Sequence, residues 1–259
     1  MTVMAPEFLS TSDGFKKYFE ILPALSLSDK QATFRIRHSV YCEDLGWEAK
    51  RADGMETDAY DPQSLHCLIR SRASGNFIGC VRLILTAPRD PLAPLPFERT
   101  CGDILDRSTI DPAVLLRTKI AEISRLAIVA QYRRRRGEER TPGILQDSDF
   151  GTADRLRFPY LLVGLYMGVF AIADIHGLEK LFLLSEPRLA RHLNKIGITN
   201  ERIGEATEHH GLRVPSVMDV RHVIGHLDPL LHSVFVVVRD ELEAAYRAAG
   251  DKVDSGVPR

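Results

Sequence analysis

Apolar residues along this chain fall in short and long runs, separated by polar segments rich in glycine and proline. The short runs Leu65–Arg70, Phe77–Leu85 and Ile120–Val129 contain many β-branched residues and are bounded by polar turns, which predicts strands. The long run Arg157–His176 is apolar on nearly all sides and has Pro159 in its first turn, which predicts a buried helix. The pattern therefore predicts several strands packed together with a long apolar helix.

Polar signals place a further helix before the strands. Ser28 and Gln31 fit a capping box, so the spacing predicts a helix from Ser28 to about Leu45, ended by Gly46. Four elements follow the long helix, in the order strand, helix, strand, helix: Lys180–Ser185, Pro187–Ile196, His232–Val238 and Asp240–Ala249. The whole order predicts an α+β fold, with one mixed β-sheet flanked by helices.

The predicted elements form a single domain over residues 28–249. Residues 1–27 fit an N-terminal lead-in with one short helical piece, and residues 250–259 fit a disordered tail. Residues 86–117 are rich in proline and charge, which predicts a connecting excursion with short helices. A second irregular segment, near residues 138–156, is predicted as an insertion before the long helix.

The composition excludes several classes of function. The chain is 44% hydrophobic and has a formal net charge of -1, so no overall charge field directs it to nucleic acid. Its four cysteines form no Cys-x-x-Cys pair, and no secretory signal is recognised, so we expect reduced thiols and a cytoplasmic location. The longest uncharged run, Phe158–Ala173, is shorter than the ~20 residues of a spanning helix. We therefore expect no membrane span, while peripheral membrane contact stays open.

Charged residues inside the apolar strands are the most informative departure from this pattern. Arg82 lies in the second predicted strand, and Glu122 and Arg125 lie in the third. Buried charges are costly unless they are paired. Partners stand in an acidic loop ahead of the first strand: Glu56, Asp58 and Asp61. The pattern predicts either a polar cleft on neighbouring strands or an ion-pair network that holds the loop on the sheet.

The spacing of Glu122 and Arg125 makes a separate prediction about the third strand. The two residues are three positions apart, so a regular strand would direct their side chains to opposite faces. If both residues serve one site, a β-bulge must lie between them.

Nine charged or aromatic residues, six of them just named, have a spacing that resembles the GNAT-like acyltransferases. Within that group the spacing resembles the acyl-homoserine-lactone synthases and the N-acyl amino acid synthases. The matching positions are Arg37, Tyr41, Trp47, Glu56, Asp58, Asp61, Arg82, Glu122 and Arg125. The autoinducer synthases usually carry phenylalanine where this chain has Tyr41. The resemblance runs through residues 34–130, and the rest of the chain matches at fold level. Segments such as "RHSVYCEDLGWE", "ETDAYD" and "AEISRLA" look closest to the acyltransferases associated with PEP-CTERM/exosortase systems.

This resemblance implies a GNAT-like fold and transfer of a fatty acyl group from a thioester to the amine of an amino acid or related small molecule. Glu56 or Glu122 would accept the amine proton. Direct transfer without an acyl-enzyme is expected, because no Ser/His/Asp order stands out. The backbone N–H groups of three residues would face the thioester carbonyl: Leu126, Ala127 and Ile128. The remaining matched residues would bind substrate or clamp the structure: Arg37, Tyr41, Trp47, Asp58, Asp61, Arg82 and Arg125.

The segment after the third strand bears on the acyl donor. GNAT enzymes that use coenzyme A carry a glycine-rich loop whose N–H groups hold the pyrophosphate. The equivalent stretch here, Gln131–Glu138, contains only one glycine. It contains four successive arginines instead: Arg133, Arg134, Arg135 and Arg136. These would suit the acidic surface of an acyl carrier protein, so acyl-acyl carrier protein is the expected donor, with acyl-coenzyme A and a solvated basic turn as alternatives.

Other functions and sites fit parts of the sequence. An autoinducer synthase would use S-adenosylmethionine as acceptor, and a non-catalytic module would only bind an acylated carrier protein. No metal and no permanently bound cofactor are expected, because the acidic loop lacks EF-hand spacing and His222 and His226 have no third ligand nearby. His209 and His210 are predicted in a polar turn. Five residues of the apolar helix would form either core or an acyl tunnel: Leu161, Leu165, Tyr166, Met167 and Phe170.

Overall fold

The computed structural model describes residues 11–133 and 160–254. The strands are β1 (Phe19–Pro23), β2 (Ser64–Ser71), β3 (Phe77–Leu85), β4 (Ile120–Ile128), β5 (Lys180–Ser185), β6 (Glu201–Arg202), β7 (Thr207–Glu208) and β8 (Leu212–Asp219). The helices are α1 (Thr11–Tyr18), α2 (Leu27–Arg37), α3 (Pro96–Cys101), α4 (Ala130–Arg133), α5 (Tyr160–Ile175), α6 (Pro187–Lys195), α7 (Val220–His226) and α8 (Pro229–Asp254). The predicted α+β fold is confirmed.

One mixed sheet carries the strands in the order β1-β2-β3-β4-β5-β8-β6, and β7 pairs with β8. Strands β1 to β4 form an antiparallel series. Strand β5 runs parallel to β4 and pairs with it only from Ile120 opposite Lys180 to Ile123 opposite Leu183. Beyond these pairs the two central strands separate, which opens the middle of the sheet.

The N-terminal part is more regular than the sequence indicates. Residues predicted as an irregular lead-in form α1 and the edge strand β1. The capping box lies two positions earlier than predicted: the Ser26 hydroxyl accepts from the Asp29 N–H at 3.1 Å, and the Asp29 carboxylate accepts from the Ser26 N–H at 3.2 Å. Helix α2 passes directly into a π-helix, His38–Asp44, so the predicted end near Leu45 is confirmed.

The strand predicted at His232–Val238 is wrong, because these residues belong to α8. The buried side chains recur at the spacing of one helical face: Leu231, Val234, Phe235, Val238 and Leu242. This period outweighs the β-propensity of the valines. Strand β8 was not predicted from the sequence. It pairs antiparallel with β5 and contains Pro215, a residue that cannot donate a ladder hydrogen bond. Helix α8 also continues to Asp254, into the predicted tail.

Helix α5 lies very close to the sheet, and two glycines permit this approach. A Cβ atom at Gly164 would lie 2.6 Å from the Phe15 ring, and one at Gly168 would lie 2.6 Å from the Cys67 sulfur. Any larger residue at either position would push α5 away from the layer below. The long apolar helix is therefore confirmed as a buried element that packs directly against its neighbours.

Among the helices of residues 11–133 and 160–254, none is both long and apolar enough to cross a membrane. The insertion predicted near 138–156 and residues 255–259 of the predicted tail lie outside the described residues.

Candidate active site

Strand β4 contains a bulge, which lies at Arg125 and Leu126 and not between Glu122 and Arg125 as predicted. Cys80 pairs with Ala127 and Arg82 pairs with Ser124, so two residues of β4 oppose the single residue between them on β3. Arg125 adopts a φ of 51°, a left-handed conformation that is strained for a residue with a side chain. The Tyr41 hydroxyl donates to the Leu126 carbonyl at 2.8 Å and holds the bulge from the side of α2. The bulge lies where β4 and β5 separate.

Three arginines and the acidic loop form a buried ion-pair network. Arg37 contacts Glu56 through Nε and donates through Nη1 to Asp61 at 2.5 Å. Arg82 binds Asp58 with both terminal nitrogens, at 2.7 and 2.8 Å, and Asp61 at 2.6 Å. These bidentate and shared contacts hold the loop against the sheet. The predicted pairing of arginines with the acidic loop is therefore present.

Arg125 joins this network from the bulge. Its Nη2 atom lies 3.2 Å from Glu56 and 2.9 Å from Glu48, and its guanidinium packs over the Tyr41 ring at 5.3 Å. Glu56, only 3% exposed, thus has both carboxylate oxygens bound by arginines. The network therefore joins the three arginines and the three acidic-loop carboxylates that the sequence analysis selected.

The network shifts the pKa of its carboxyl groups downward. Burial opposes the ionisation of Asp58, but the hydrogen bonds and charge of Arg82 outweigh it and lower the pKa to about 2. Burial likewise opposes the ionisation of Glu56 and Asp61, yet the contacts with Arg37 prevail and hold both pKa values below their usual range. All three groups are therefore ionised at neutral pH.

This network makes stability depend on acid pH. Asp58 keeps its charge in the folded state down to pH about 2, whereas its ordinary pKa is 3.8. Its contribution is therefore fully present above about pH 4 and is lost as pH falls towards 2. We expect urea unfolding at pH 7, 4, 3 and 2.5 to show a steep loss of unfolding free energy over the last three values. An unchanged free energy across that range would contradict the network.

Glu122 has the opposite electrostatic environment. It is 6% exposed and accepts a hydrogen bond at 2.8 Å from the N–H of Phe97, in the first turn of α3. Burial raises its pKa to about 8, although the Phe97 hydrogen bond and the charge of Arg82 act in the other direction. A carboxyl group that titrates near neutral pH is suited to accept or donate a proton.

Two cavities adjoin at the bulge. The apolar cavity, about 220 Å³, lies between the separated strands and is lined in part by Leu126, Ala127, Ile128, Leu162, Tyr166 and Ser185. The polar cavity, about 310 Å³, is lined in part by Asp58, Arg82, Glu122, His209, His210 and Arg213. Ser124 and Arg125 line both. Glu56 lines neither of these two cavities, so its position differs from that of Glu122.

The aromatic residues matched by the resemblance form a stack beside the cavities. Tyr41 stacks on Trp47 at 6.0 Å, and both residues line both cavities. Trp47 also stacks on His210 at 5.4 Å, and the Arg213 guanidinium lies 5.5 Å from the centre of the Trp47 ring. Trp47 is thus a wall of the candidate site.

The sequence interpretation missed His209, His210 and Arg213 as site residues. It placed the two histidines in a polar turn, and the structure does place them in the turn between β7 and β8. Because β8 pairs with β5, the turn reaches the polar cavity. The one available signal was the polar His-His-Gly sequence ahead of an apolar run, and it becomes informative only when that run is recognised as a strand.

The other candidate residues differ in their positions. Tyr166 lines the apolar cavity, whereas Met167 and Phe170 are fully buried in the core. His222 and His226 stack at 4.1 Å on α7, and the described residues contain no group of three or more metal-binding side chains. The residues predicted to dock a carrier protein, Arg133–Arg136, lie outside the described residues, apart from the backbone of Arg133 at the end of α4.

Comparison with known proteins gives a consistent result. The model of the acetyltransferase (GNAT) domain matches residues 36–141. The acyl-homoserine-lactone synthase of Aeromonas hydrophila is 26% identical over 172 residues, which cover 66% of this chain and 69% of that protein. That of Vibrio anguillarum is 32% identical over 72 residues, which cover 28% of this chain and only 37% of that protein.

Solved structures share the fold. BjaI, a CoA-dependent acyl-homoserine lactone synthase with SAM and isopentyl-CoA, superposes with a TM-score of 0.58 at 19% identity, covering 83% of this chain and 89% of that one. FeeM, an N-acyl amino acid synthase from uncultured soil microbes, gives a TM-score of 0.54 at 12% identity, covering 81% and 94%. The chain therefore has a GNAT-like fold, with a match to the GNAT acetyltransferase domain over residues 36–141; it is similar in sequence to acyl-homoserine-lactone synthases and shares its fold with these enzymes and with an N-acyl amino acid synthase.

Proposed function

We propose that this protein transfers a fatty acyl group from the thioester of an acyl carrier protein to the amine of an amino acid or related small molecule. The observation that carries this proposal is the meeting of an apolar and a polar cavity at the β4 bulge. An acyl thioester fits the apolar side and an amine fits the polar side. The two reactants would then approach each other beside Ser124 and Arg125, so no covalent enzyme intermediate is needed.

The donor side of the proposal rests on the separation of the central strands. Past Ile123, β5 no longer pairs with β4, and this edge of β4 lines the apolar cavity. The backbone N–H group of Leu126 would polarise the thioester carbonyl and stabilise the oxyanion that forms on attack, whereas Ala127 pairs with Cys80 on β3. The Tyr41 hydroxyl would keep this segment in position through the Leu126 carbonyl.

On the acceptor side, Glu122 is the better candidate for the catalytic base. It lines the polar cavity, and its raised pKa, about 8, lets it take up the amine proton near neutral pH. The catalytic role of Glu56 stays a prediction, and its geometry favours a clamp, because Arg37 and Arg125 occupy its carboxylate. A low-pKa carboxylate bound by two arginines is a poor proton acceptor.

The carrier-protein donor is supported by the four arginines at Arg133–Arg136, whose charge would complement an acidic carrier surface. The donor class is open between a carrier protein and coenzyme A, and BjaI is a CoA-dependent enzyme. The association with an exosortase system and the cytoplasmic location stay predictions. Neighbouring exosortase or sorting-substrate genes would support the first of them.

A second candidate function is an autoinducer synthase that uses S-adenosylmethionine. It is favoured by the curated relatives, which are acyl-homoserine-lactone synthases. The products separate the two candidates. Formation of an N-acyl amino acid leaves the amino-acid side chain intact, whereas formation of a homoserine lactone from S-adenosylmethionine releases methylthioadenosine. The non-catalytic alternative is less well supported, because the curated relatives are all enzymes.

One assay tests the proposal directly. We expect the purified protein, given acyl carrier proteins and acyl-coenzyme A of several chain lengths with an amino-acid mixture, to form N-acyl amino acids detected by mass spectrometry. Carrier-protein thioesters should be the better donors by kcat/KM. A parallel incubation with S-adenosylmethionine tests lactone formation. No N-acyl product from any donor would overturn the proposal, and a lactone alone would establish the second candidate.

A further inference from the structure

We propose that the turn between β7 and β8, with Arg213 just after it, recognises the carboxylate of the acceptor and so selects α-amino acids over simple amines. The subsite consists of Arg213, His209 and His210, which share the polar cavity with Glu122. The inference rests on the proposed function and adds the residues that bind the acceptor's acidic group.

Arg213 has the position and the free donors that a carboxylate requires. It is 9% exposed and lines both cavities. Its ion pair with Glu186, at 3.3 Å, and its hydrogen bond to the Leu212 carbonyl, at 3.2 Å, both use Nη1. Among the described residues, these contacts leave Nε and Nη2 for a ligand. Arginine presents two parallel N–H groups in the geometry that matches a carboxylate.

The two histidines are held over the cavity by an unusual backbone. His210 adopts a φ of 51° and is followed by Gly211 with a φ of 93°. The His209 N–H donates to the Gly211 carbonyl at 2.9 Å, which closes the turn. The His210 ring stacks on Trp47 at 5.4 Å. A strained conformation that is fixed by ring stacking at a cavity wall is characteristic of a functional segment.

The charges around His209 show that this side of the cavity is short of negative charge. Partial burial lowers the pKa of His209, and the charges of His210, Arg213 and Arg125 lower it further, while the charge of Glu48 acts in the opposite direction. An anion placed between His209 and Arg213 would relieve this repulsion. A bound carboxylate therefore has favourable electrostatics at this position.

The same cavity also provides the complement for an amine. Glu122 lines it, and the charge of Asp58 is already satisfied by Arg82. An α-amino acid carries its amine and its carboxylate on one carbon, so it can place the amine towards Glu122 and the carboxylate towards Arg213. S-adenosylmethionine carries the same α-amino acid group, so the subsite serves either candidate reaction.

The test compares acids with their amides. Pools of the twenty L-amino acids and of their carboxamides are supplied as acceptors, and kinetics follow on the preferred acid and its amide. We expect the wild type to favour the acid, and Arg213→Gln to reduce this preference about 10- to 100-fold through the acceptor KM, with the donor KM unchanged. The matched control is Arg202→Gln, an exposed arginine on β6, which should keep the wild-type preference.

Two further measurements keep the test decisive. His209→Gln, at an exposed turn position, should reduce the same preference severalfold without depending on the Glu186 ion pair. Equilibrium binding of the acid and the amide by calorimetry needs no turnover, so it reports on the subsite even if no product forms. An unchanged preference for the acid in both variants would overturn the subsite. A wild type that binds the acid over the amide but forms no N-acyl product would overturn the proposed function alone.

Discussion

Replacing Glu122 by glutamine should lower kcat about 100-fold or more while the protein stays folded. Glutamine keeps an oxygen that can accept from the Phe97 N–H, but it cannot take a proton from the amine. Wild-type kcat/KM should rise with pH through an apparent pKa of about 8, and the variant should lose this dependence. Steady-state kinetics between pH 6 and 9.5 measure both effects. Wild-type turnover in the variant would remove Glu122 from the mechanism.

The stability of the same variant distinguishes a catalytic role from a structural one. Glu122 has a folded pKa of about 8 and an ordinary pKa of 4.5, so the wild type takes up a proton on folding at pH 7. This uptake becomes less favourable as pH rises from 4.5 to 8. The neutral variant should therefore be at least as stable as the wild type at pH 7. The matched comparison is Glu56→Gln, whose main loss should be stability, because Arg37 and Arg125 would lose their charged partner.

Replacing Arg82 by methionine should destabilise the protein by about 3 to 5 kcal/mol, because a buried ion pair that loses one partner leaves an uncompensated charge. Arg82 is 2% exposed and binds Asp58, Asp61 and Ser124. The melting temperature should fall by roughly 10 °C or more. Chemical and thermal unfolding measure the change.

A matched control lies on the neighbouring strand. Arg70 on β2 pairs with Glu20 and has a side chain that is 36% exposed. Arg70→Met should cost about 1 kcal/mol or less, because exposed ion pairs contribute little. An equal loss of unfolding free energy for the two substitutions would mean that the network around Arg82 stabilises the protein no more than an exposed ion pair does.

The sequence predicted the central part of the fold because its signals are local. Strands β2, β3, β4 and β5 each show a short apolar run between turn residues, and their predicted bounds differ from the observed ones by one residue at most. A bulge on β4 was predicted from two charges spaced three residues apart, and the observed bulge begins at the second of them, Arg125. The ion-pair network was predicted because charged side chains inside a sheet need partners of opposite charge. At these positions the residue type alone indicates what kind of neighbour is required.

The C-terminal part was predicted poorly because its signals conflict. Pro215 argues against a strand, because it has no N–H to donate. It is tolerated in β8 because its carbonyl still accepts a hydrogen bond, from the Ile203 N–H at 3.0 Å. The valines of α8 argue for a strand, whereas its helical period is visible only over the whole element. The turn between β7 and β8 reaches the polar cavity only through the pairing of β8 with β5, so its two histidines became informative only once β8 was recognised as a strand.

If the proposed function holds, the two glycines of α5 have a consequence for the choice of acyl group. Leu162 and Tyr166, which line the apolar cavity, alternate along α5 with Gly164 and Gly168, where the helix touches Phe15 and Cys67 without any intervening side chain. A helix seated this closely cannot retreat to admit a longer hydrocarbon tail. The depth of the pocket is therefore set by the size of the residues that line it, so acyl length should be retuned by substitutions at Leu162 or Tyr166 and not by movement of the helix.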